Sequence, residues 1–446
     1  HGGAMLTIES MELHGPIDWA LPPSKSHMIR WLALAAQAEG ETVLSFDGEP
    51  GEDVHSMAGC LKQLGVSIEM GDSSWIVNGV GPNGFSVPKG VLDCGNSATT
   101  ARFLMAIAAG MKVPAHLDGD RSLRRRDMSA LSETLRLLGC EVTSDTLPLA
   151  VTGPVVPGLA HLDLSASSQP LSALLMASPG YSGPIHFQPS PQQQSMFGMQ
   201  SRVSVKYSDL SYSMAASCGS SNKPMNLFFD IEPWRPVTPD EVEIPVEDSL
   251  LPIAMLLSEL HDVEVVFSRA DLEPRGATRR LTLWSKSWQQ HNYIRENLPS
   301  LTSDGLGFGY GGPWGPSDNP KSGLTISQDI DIISPAAALM ALDEGGWISG
   351  AAHARGKESD RISSTVYLLS CFGMEVAEAG LNNNEIEVVG GQIPTRPEAP
   401  VETHGDHRLA MTAMVLASKV GGTIVNPEIS AVTDPEFIER LTGLGK

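Results

Sequence analysis

Apolar positions along this chain change their period at regular intervals. In Leu61-Lys-Gln-Leu-Gly-Val-Ser-Ile-Glu69, Leu135-Arg-Leu-Leu-Gly-Cys-Glu-Val142 and Leu369-Ser-Cys-Phe-Gly-Met-Glu-Val376, apolar residues at helical spacing run into a glycine. Alternation with a period of two follows at once. This pattern predicts an amphipathic helix closed by a left-handed glycine cap and then a short strand. Met214-Ala-Ala-Ser-Cys-Gly219 is a fainter copy, and Arg440-Leu-Thr-Gly443 reads as a last one. Gly65, Gly139, Gly219, Gly373 and Gly443 lie 74, 80, 154 and 70 positions apart, so about six α/β units of roughly 75 residues fit the chain. Three units in each of two domains is the natural division, because 446 residues exceed one ordinary core. The stretch 271–328, with the glycine-rich run Gly305–Pro316, fits the repeat least well, and Gln192–Gln194 reads as a loop.

Composition narrows the class. The chain is 41% hydrophobic and 18% charged, as expected of a globular protein in water. No apolar run approaches the roughly 18 residues of a membrane span, and no signal-peptide pattern is seen. His1-Gly-Gly-Ala ahead of Met5 reads as an expression scar. A formal charge of −22 argues against a nucleic-acid partner. Five scattered cysteines with no C-x-x-C spacing suggest reduced thiols and a cytoplasmic location.

Against this acidic background, basic residues gather in four clusters. They are Leu21-Pro-Pro-Ser-Lys-Ser-His-Met-Ile-Arg30, Cys94-Gly-Asn-Ser-Ala-Thr-Thr-Ala-Arg102, Lys357-Glu-Ser-Asp-Arg-Ile362 and Gly405-Asp-His-Arg-Leu-Ala-Met411. Each sets a cation beside hydroxyls or a glycine at the start of an apolar helical stretch, which suits phosphate or carboxylate. Lys25, Ser26 and Arg30 share the first cluster. Asn96 and Ala98 lie in the second, and Arg121, Arg124, Arg125 and Arg126 crowd one stretch that needs a nearby anion or else is solvated. Ser167, Ser168 and Gln169 precede an apolar helix and serve either a polyol or a cap; Ser204 and Tyr207 lie before the Gly219 helix end. Lys357 beside Glu358 suits a general acid or base. Asp329 and Asp331 are each placed for a helix-start carboxylate or a general base. His404 and His407 lack a third metal ligand.

Taken together and in order, these clusters resemble the 5-enolpyruvylshikimate-3-phosphate synthase family over essentially the whole chain. The resemblance is weakest from about 220 to 325. It implies transfer of the enolpyruvyl group of phosphoenolpyruvate to the 5-hydroxyl of shikimate 3-phosphate, with release of phosphate and with no metal or organic cofactor. The implied fold is α/β: a two-domain enolpyruvyl transferase fold of six βαβαββ units with the active site in the interdomain cleft. Residues 5–24 plus 248–446 would form one domain and 25–247 the other, and the protein would act as a monomer. By the same resemblance, Lys25, Ser26, Arg30, Ser167, Ser168, Gln169, Ser204, Asp331 and Lys357 hold shikimate 3-phosphate. Lys25, Asn96, Ala98, Arg126, Gln169, Arg361 and Arg408 hold phosphoenolpyruvate, and Lys25, Asp331 and Glu358 carry the chemistry.

Four departures stand out. Ala98 replaces a usual glycine, which predicts weak inhibition by glyphosate; Arg126-Asp127 replaces Arg-Pro. In Ala431-Val-Thr-Asp-Pro435, Val432 stands where a phosphoenolpyruvate-binding lysine is usual. Counting back from Lys357 puts the usual aspartate at Ile330, so Asp331 requires a one-residue deletion and Asp329 is a second candidate. Two alternatives follow. UDP-N-acetylglucosamine enolpyruvyl transferase is opposed by the lack of a cysteine in Asp118-Gly-Asp-Arg-Ser-Leu123. A non-catalytic paralogue is suggested by Val432 and opposed by Lys25, Glu358 and Arg408.

Overall fold

The structure, a computed structural model, describes residues 3–188, 205–224, 229–267, 277–278, 281 and 323–446. Ser204, the Gln192–Gln194 loop and the Gly305–Pro316 run lie outside the described residues.

Four of the expected glycine caps are present. Gly65, Gly139, Gly219 and Gly373 have φ of 94°, 83°, 100° and 72°. After each, the next amide reaches back five residues to the helix: Val66 to Leu61, Cys140 to Leu135, Ser220 to Ala215 and Met374 to Leu369. This is the six-to-one bond of a Schellman motif, which satisfies carbonyls a helix end otherwise leaves bare. The fifth expectation fails. Gly443 is the last residue of the Phe437–Gly443 helix and is not left-handed.

The described strands form six sheets. Three have four strands and one shared plan. In the first, Glu39–Ser45 pairs parallel with Glu241–Glu243 and antiparallel with Ser74–Val80, which pairs antiparallel with Ser67–Met70. Leu92–Asp93, Ala115–Asp118, Leu149–Thr152 and Glu141–Val142 repeat the plan. So do Gly323–Thr325, Gly345–Ser349, Glu385–Val389 and Val376–Ala379. Parallel pairs need a crossover, which the helices supply, and antiparallel pairs close through short connections.

Buried apolar side chains gather into two cores. One draws on residues between Met28 and Ile244. The other draws on Ile8 to Leu21 and on Leu250 to Leu441. The chain therefore passes between two lobes twice, and the two passages lie side by side. Ser24 N–H donates to the Pro245 carbonyl and Glu247 N–H to the Pro22 carbonyl, each at 2.8 Å. Lys25 N–H adds a 3.0 Å bond to Glu247 Oε2. This paired hinge fixes where the lobes meet.

Candidate active site

Each basic cluster begins a helix, and each helix start has a side-chain cap. Ser24 Oγ accepts from His27 N–H ahead of Lys25–Gln37, and Ser97 Oγ accepts from Thr100 N–H ahead of Ala98–Ala108. Asp360 caps Arg361–Cys371, and Asp406 caps His407–Val420. A capped start holds the adjacent side chain in a defined direction, and here the first two helices belong to one lobe and the last two to the other.

The charged residues meet between the lobes. Arg361, 1% exposed, serves three carboxylates: Nη1 to Asp331 at 2.6 Å, Nη2 to Glu358 at 2.7 Å and Nε to Asp406 at 2.8 Å. Arg126 approaches from the opposite lobe, 3.6 Å from Glu358 Oε1 and 3.1 Å from Asn96 Oδ1. Lys25 Nζ lies 3.0 Å from Asp53 Oδ2. Arg102 donates to Gln169 Oε1, and Arg408 to Ser249 Oγ at 2.8 Å. Tyr207 crosses the cleft to donate to Asp331 Oδ2 at 2.8 Å. Ser167 Oγ accepts from Gln169 N–H at 3.1 Å, and Ser168 is buried beside it.

Several buried polar atoms here have no hydrogen-bond partner among the described residues: Arg126 Nε, Arg408 Nε, Asp53 Oδ1 and both ring nitrogens of His407. Leaving such groups bare costs about 1–3 kcal/mol each, more when charged. A site that holds them in this state is built to receive a ligand, and its bare guanidinium donors call for an anion.

The electrostatics agree. Burial would raise the carboxyl pKa of Glu358, yet Arg361 and Arg126 outweigh it and hold the group well below its ordinary range. Burial is likewise outweighed at Asp331, where Arg408, Arg361 and Lys357 hold the carboxyl far down. Burial dominates at Lys357, whose pKa is lowered, and at Asp53, whose pKa is raised in spite of Lys25. His407 is pushed well below its usual value by burial and by Lys25 and Arg408.

Other residues of these clusters are engaged by the protein's own groups. Arg30 is 2% exposed, donates to Ser211 Oγ at 2.8 Å and to the carbonyls of Ser26 and Tyr207, and packs near Phe103. Through Ser211 and the Tyr207 carbonyl it ties the Lys25–Gln37 helix to the Val205–Ser217 helix. Of the four crowded arginines only Arg126 is buried; Arg124 pairs with Asp118, and Arg121 and Arg125 face solvent. Asp329 is engaged away from the carboxylates that Arg361 serves, with Lys206 at 3.1 Å and the Ala277 amide at 3.0 Å. Val432 is 2% exposed at the end of the 3-10 segment Pro427–Val432, and its carbonyl faces Gly51. No group of three His, Cys, Asp or Glu among the described residues is placed to hold a metal ion.

Asp53, Arg102, Glu247 and Ser249 were not singled out by sequence reading, and His407 was weighed only as a metal ligand. Asp53 follows Gly51 and Glu52, an ordinary acidic helix start, so nothing local pointed to Lys25. Arg102 ends the second basic cluster, and its spacing from Asn96 is the signal the sequence carries.

The model of the EPSP synthase (3-phosphoshikimate 1-carboxyvinyltransferase) family matches residues 9–194 and 316–441. The 3-phosphoshikimate 1-carboxyvinyltransferase of Caldicellulosiruptor saccharolyticus is 30% identical, over 96% of this chain and 96% of that protein. The same enzyme of Paracoccus denitrificans is 28% identical, over 97% and 96%. Among solved structures, EPSP synthase from Acinetobacter baumannii superposes with a TM-score of 0.71 at 21% identity, covering 99% of this chain and 98% of that one. The enolpyruvyl transferase NikO from Streptomyces tendae gives 0.64 at 14% identity, covering 100% and 98%. The fold is thus the two-domain α/β enolpyruvyl transferase fold, and the chain belongs to the EPSP synthase (3-phosphoshikimate 1-carboxyvinyltransferase) family.

Proposed function

We propose that the protein transfers the enolpyruvyl group of phosphoenolpyruvate to the 5-hydroxyl of shikimate 3-phosphate and releases inorganic phosphate. The observation that carries this reading is the pair of buried, unpaired Nε donors of Arg126, beside Glu358, and Arg408, whose charge acts on Asp331. Two anionic substrates would satisfy those donors.

In the addition step Asp331 takes the proton of the 5-hydroxyl while the hydroxyl oxygen bonds to C2 of phosphoenolpyruvate. Glu358 delivers a proton to the methylene carbon, making a methyl group. In the elimination step the C2–O bond to the phosphate breaks, and Lys25 stabilises the departing oxygen, which ends with the proton that Asp331 took from the 5-hydroxyl; the methyl carbon returns its proton to Glu358. Arg126, Arg361 and Arg408 would hold the phosphate and carboxylate of phosphoenolpyruvate, with Asn96, Ala98 and Gln169 completing that side. Ser26, Arg30, Ser167, Ser168, Gln169, Ser204 and Lys357 would serve shikimate 3-phosphate. Fixed cations in a closed, water-poor cleft stabilise charge as it develops, and closure orients two reactants that otherwise meet by chance.

Glu358 is ionised in the free protein, yet the mechanism needs it protonated. Ligand anions resolve the conflict: once phosphate and carboxylate occupy Arg126 and Arg361, the cations that depress Glu358 are neutralised and its pKa rises. The tight engagement of Asp329 with Lys206 supports Asp331 as the base.

The same reading assigns 5–24 plus 248–446 to one domain and 25–247 to the other, and takes the protein as a cytoplasmic monomer without a nucleic-acid partner, metal or organic cofactor. No described helix is long and apolar enough to cross a membrane. The test is phosphate release from purified protein given both substrates, with each alone as control. Release that needs both and disappears in Glu358→Gln supports the reading; release from phosphoenolpyruvate alone overturns it.

A further inference from the structure

Lys206 is the second residue of the Val205–Ser217 helix, which belongs to the 25–247 lobe, and its polar contacts reach the other lobe. Nζ lies 3.1 Å from Asp329 Oδ1 and 3.9 Å from Asp248 Oδ1. Its amide donates to Gln328 Oε1 at 3.2 Å. The receiving carboxylate is fixed before Lys206 arrives: Asp329 is 8% exposed, and its second oxygen accepts the Ala277 amide. Surface ion pairs gain little because two long side chains must be ordered at once. Here the partner is short, buried and already held, so most of that cost falls on Lys206 alone. Burial works against the ammonium charge, but Asp248 and Asp329 outweigh it and raise the lysine pKa.

The next residue, Tyr207, donates across the same gap to Asp331 Oδ2 at 2.8 Å. Whatever ties Lys206 to the far lobe therefore also sets the phenol against the carboxylate that faces Arg361, Lys357 and Glu358. The two members of the Lys206–Asp329 pair belong to different lobes, so the pair ties the lobes together beyond the passages at Ser24 and Glu247.

We propose that Lys206 is a positioning residue, an interlobe latch whose ion pair with Asp329 favours the closed cleft before substrate arrives and aligns Tyr207 with Asp331. A ligand that binds only the closed form then loses apparent affinity in proportion to the closed fraction. At saturation the ligand itself enforces closure, so turnover is spared. The effect on substrate binding rests on the function proposed above; the effect on shape does not.

The test uses the full-length protein with Lys206→Met and, as the conservative variant, Lys206→Arg. Calorimetry should show shikimate 3-phosphate binding about three- to tenfold more weakly to the Met variant, with the Arg variant restored to about the original affinity. The KM should rise by the same factor while kcat falls by less than about twofold. Small-angle scattering should give a larger radius of gyration for the unliganded Met variant than for the unaltered protein, and equal values once both substrates are bound. Unchanged affinity together with an unchanged radius overturns the latch. So does a loss of affinity that arginine does not restore, or a kcat that falls as far as kcat/KM. If the unaltered protein binds no shikimate 3-phosphate, the proposed function fails, and the scattering comparison alone decides the latch.

Discussion

Arg361 Nη2 lies 2.7 Å from Glu358 Oε2, and the same guanidinium holds Asp331 and Asp406. One buried cation thus touches both groups proposed to move protons, and against burial, with Arg408 at Asp331 and Arg126 at Glu358, it holds both carboxyls below their ordinary range. Its position follows from Asp360, which caps the helix that Arg361 begins, and from Asp406, which caps the neighbouring one.

A first prediction concerns that pair. Binding of phosphoenolpyruvate in the presence of shikimate 3-phosphate should take up a proton near neutral pH, because anions on Arg361 and Arg126 release Glu358 from its depressed pKa. Calorimetry in two buffers of different ionisation enthalpy measures this directly. Glu358→Gln should abolish the uptake and lower kcat by roughly 10²–10⁴-fold. Proton uptake unchanged by that substitution would remove Glu358 from the role.

Gly51 packs so tightly against the other lobe that a Cβ there would sit 2.5 Å from the Val432 carbonyl oxygen and 2.8 Å from Thr433 Cα. Both are backbone atoms, which cannot swing aside. Gly51→Ala should lower stability by about 1–3 kcal/mol, as overpacking does, and raise the KM for both substrates by holding the lobes apart. Thermal unfolding and steady-state rates check this. Unaltered values would mean that the contact at Val432 gives way freely.

Stability should fall as pH drops below neutrality. Burial pushes His27, His261 and His353 down to about 4, whereas an unfolded histidine titrates near about 6.5. Below that value the unfolded chain binds more protons than the folded one, so protons favour unfolding. The contribution is complete above about pH 6.5 and is lost as pH falls towards about 4. His261 lies 2.9 Å from Ser418 Oγ, in the core of its lobe. His261→Gln should therefore flatten the curve of Tm against pH between those limits without shifting the pH profile of turnover.

Ala98 is 7% exposed at the first position of its helix, two residues from Asn96, which receives Arg126. Its methyl group takes room beside the proposed phosphoenolpyruvate position. Glyphosate, longer than phosphoenolpyruvate, should inhibit the protein weakly, and Ala98→Gly should lower the inhibition constant by about tenfold or more, which corresponds to roughly 1.4 kcal/mol. A submicromolar constant in the unaltered protein would sink the argument.

What the sequence determined by itself is local. A glycine after an amphipathic stretch forces the left-handed cap at Gly65, Gly139, Gly219 and Gly373, and a capping serine or aspartate fixes the helix starts at Lys25, Ala98, Arg361 and His407. Both depend on neighbours within about five positions, so spacing reveals them. Which charges share a cleft was decided by tertiary structure alone. Lys25 meets Asp53, Arg126 meets Glu358, and Lys206 meets Asp329 across 28, 232 and 123 positions of chain. No periodicity encodes those distances, because they depend on how two separate cores are brought together at one paired hinge. For the same reason the sequence could not tell Asp329 from Asp331: they are two residues apart, and only the packing of the opposite lobe gives one to Lys206 and the other to Tyr207.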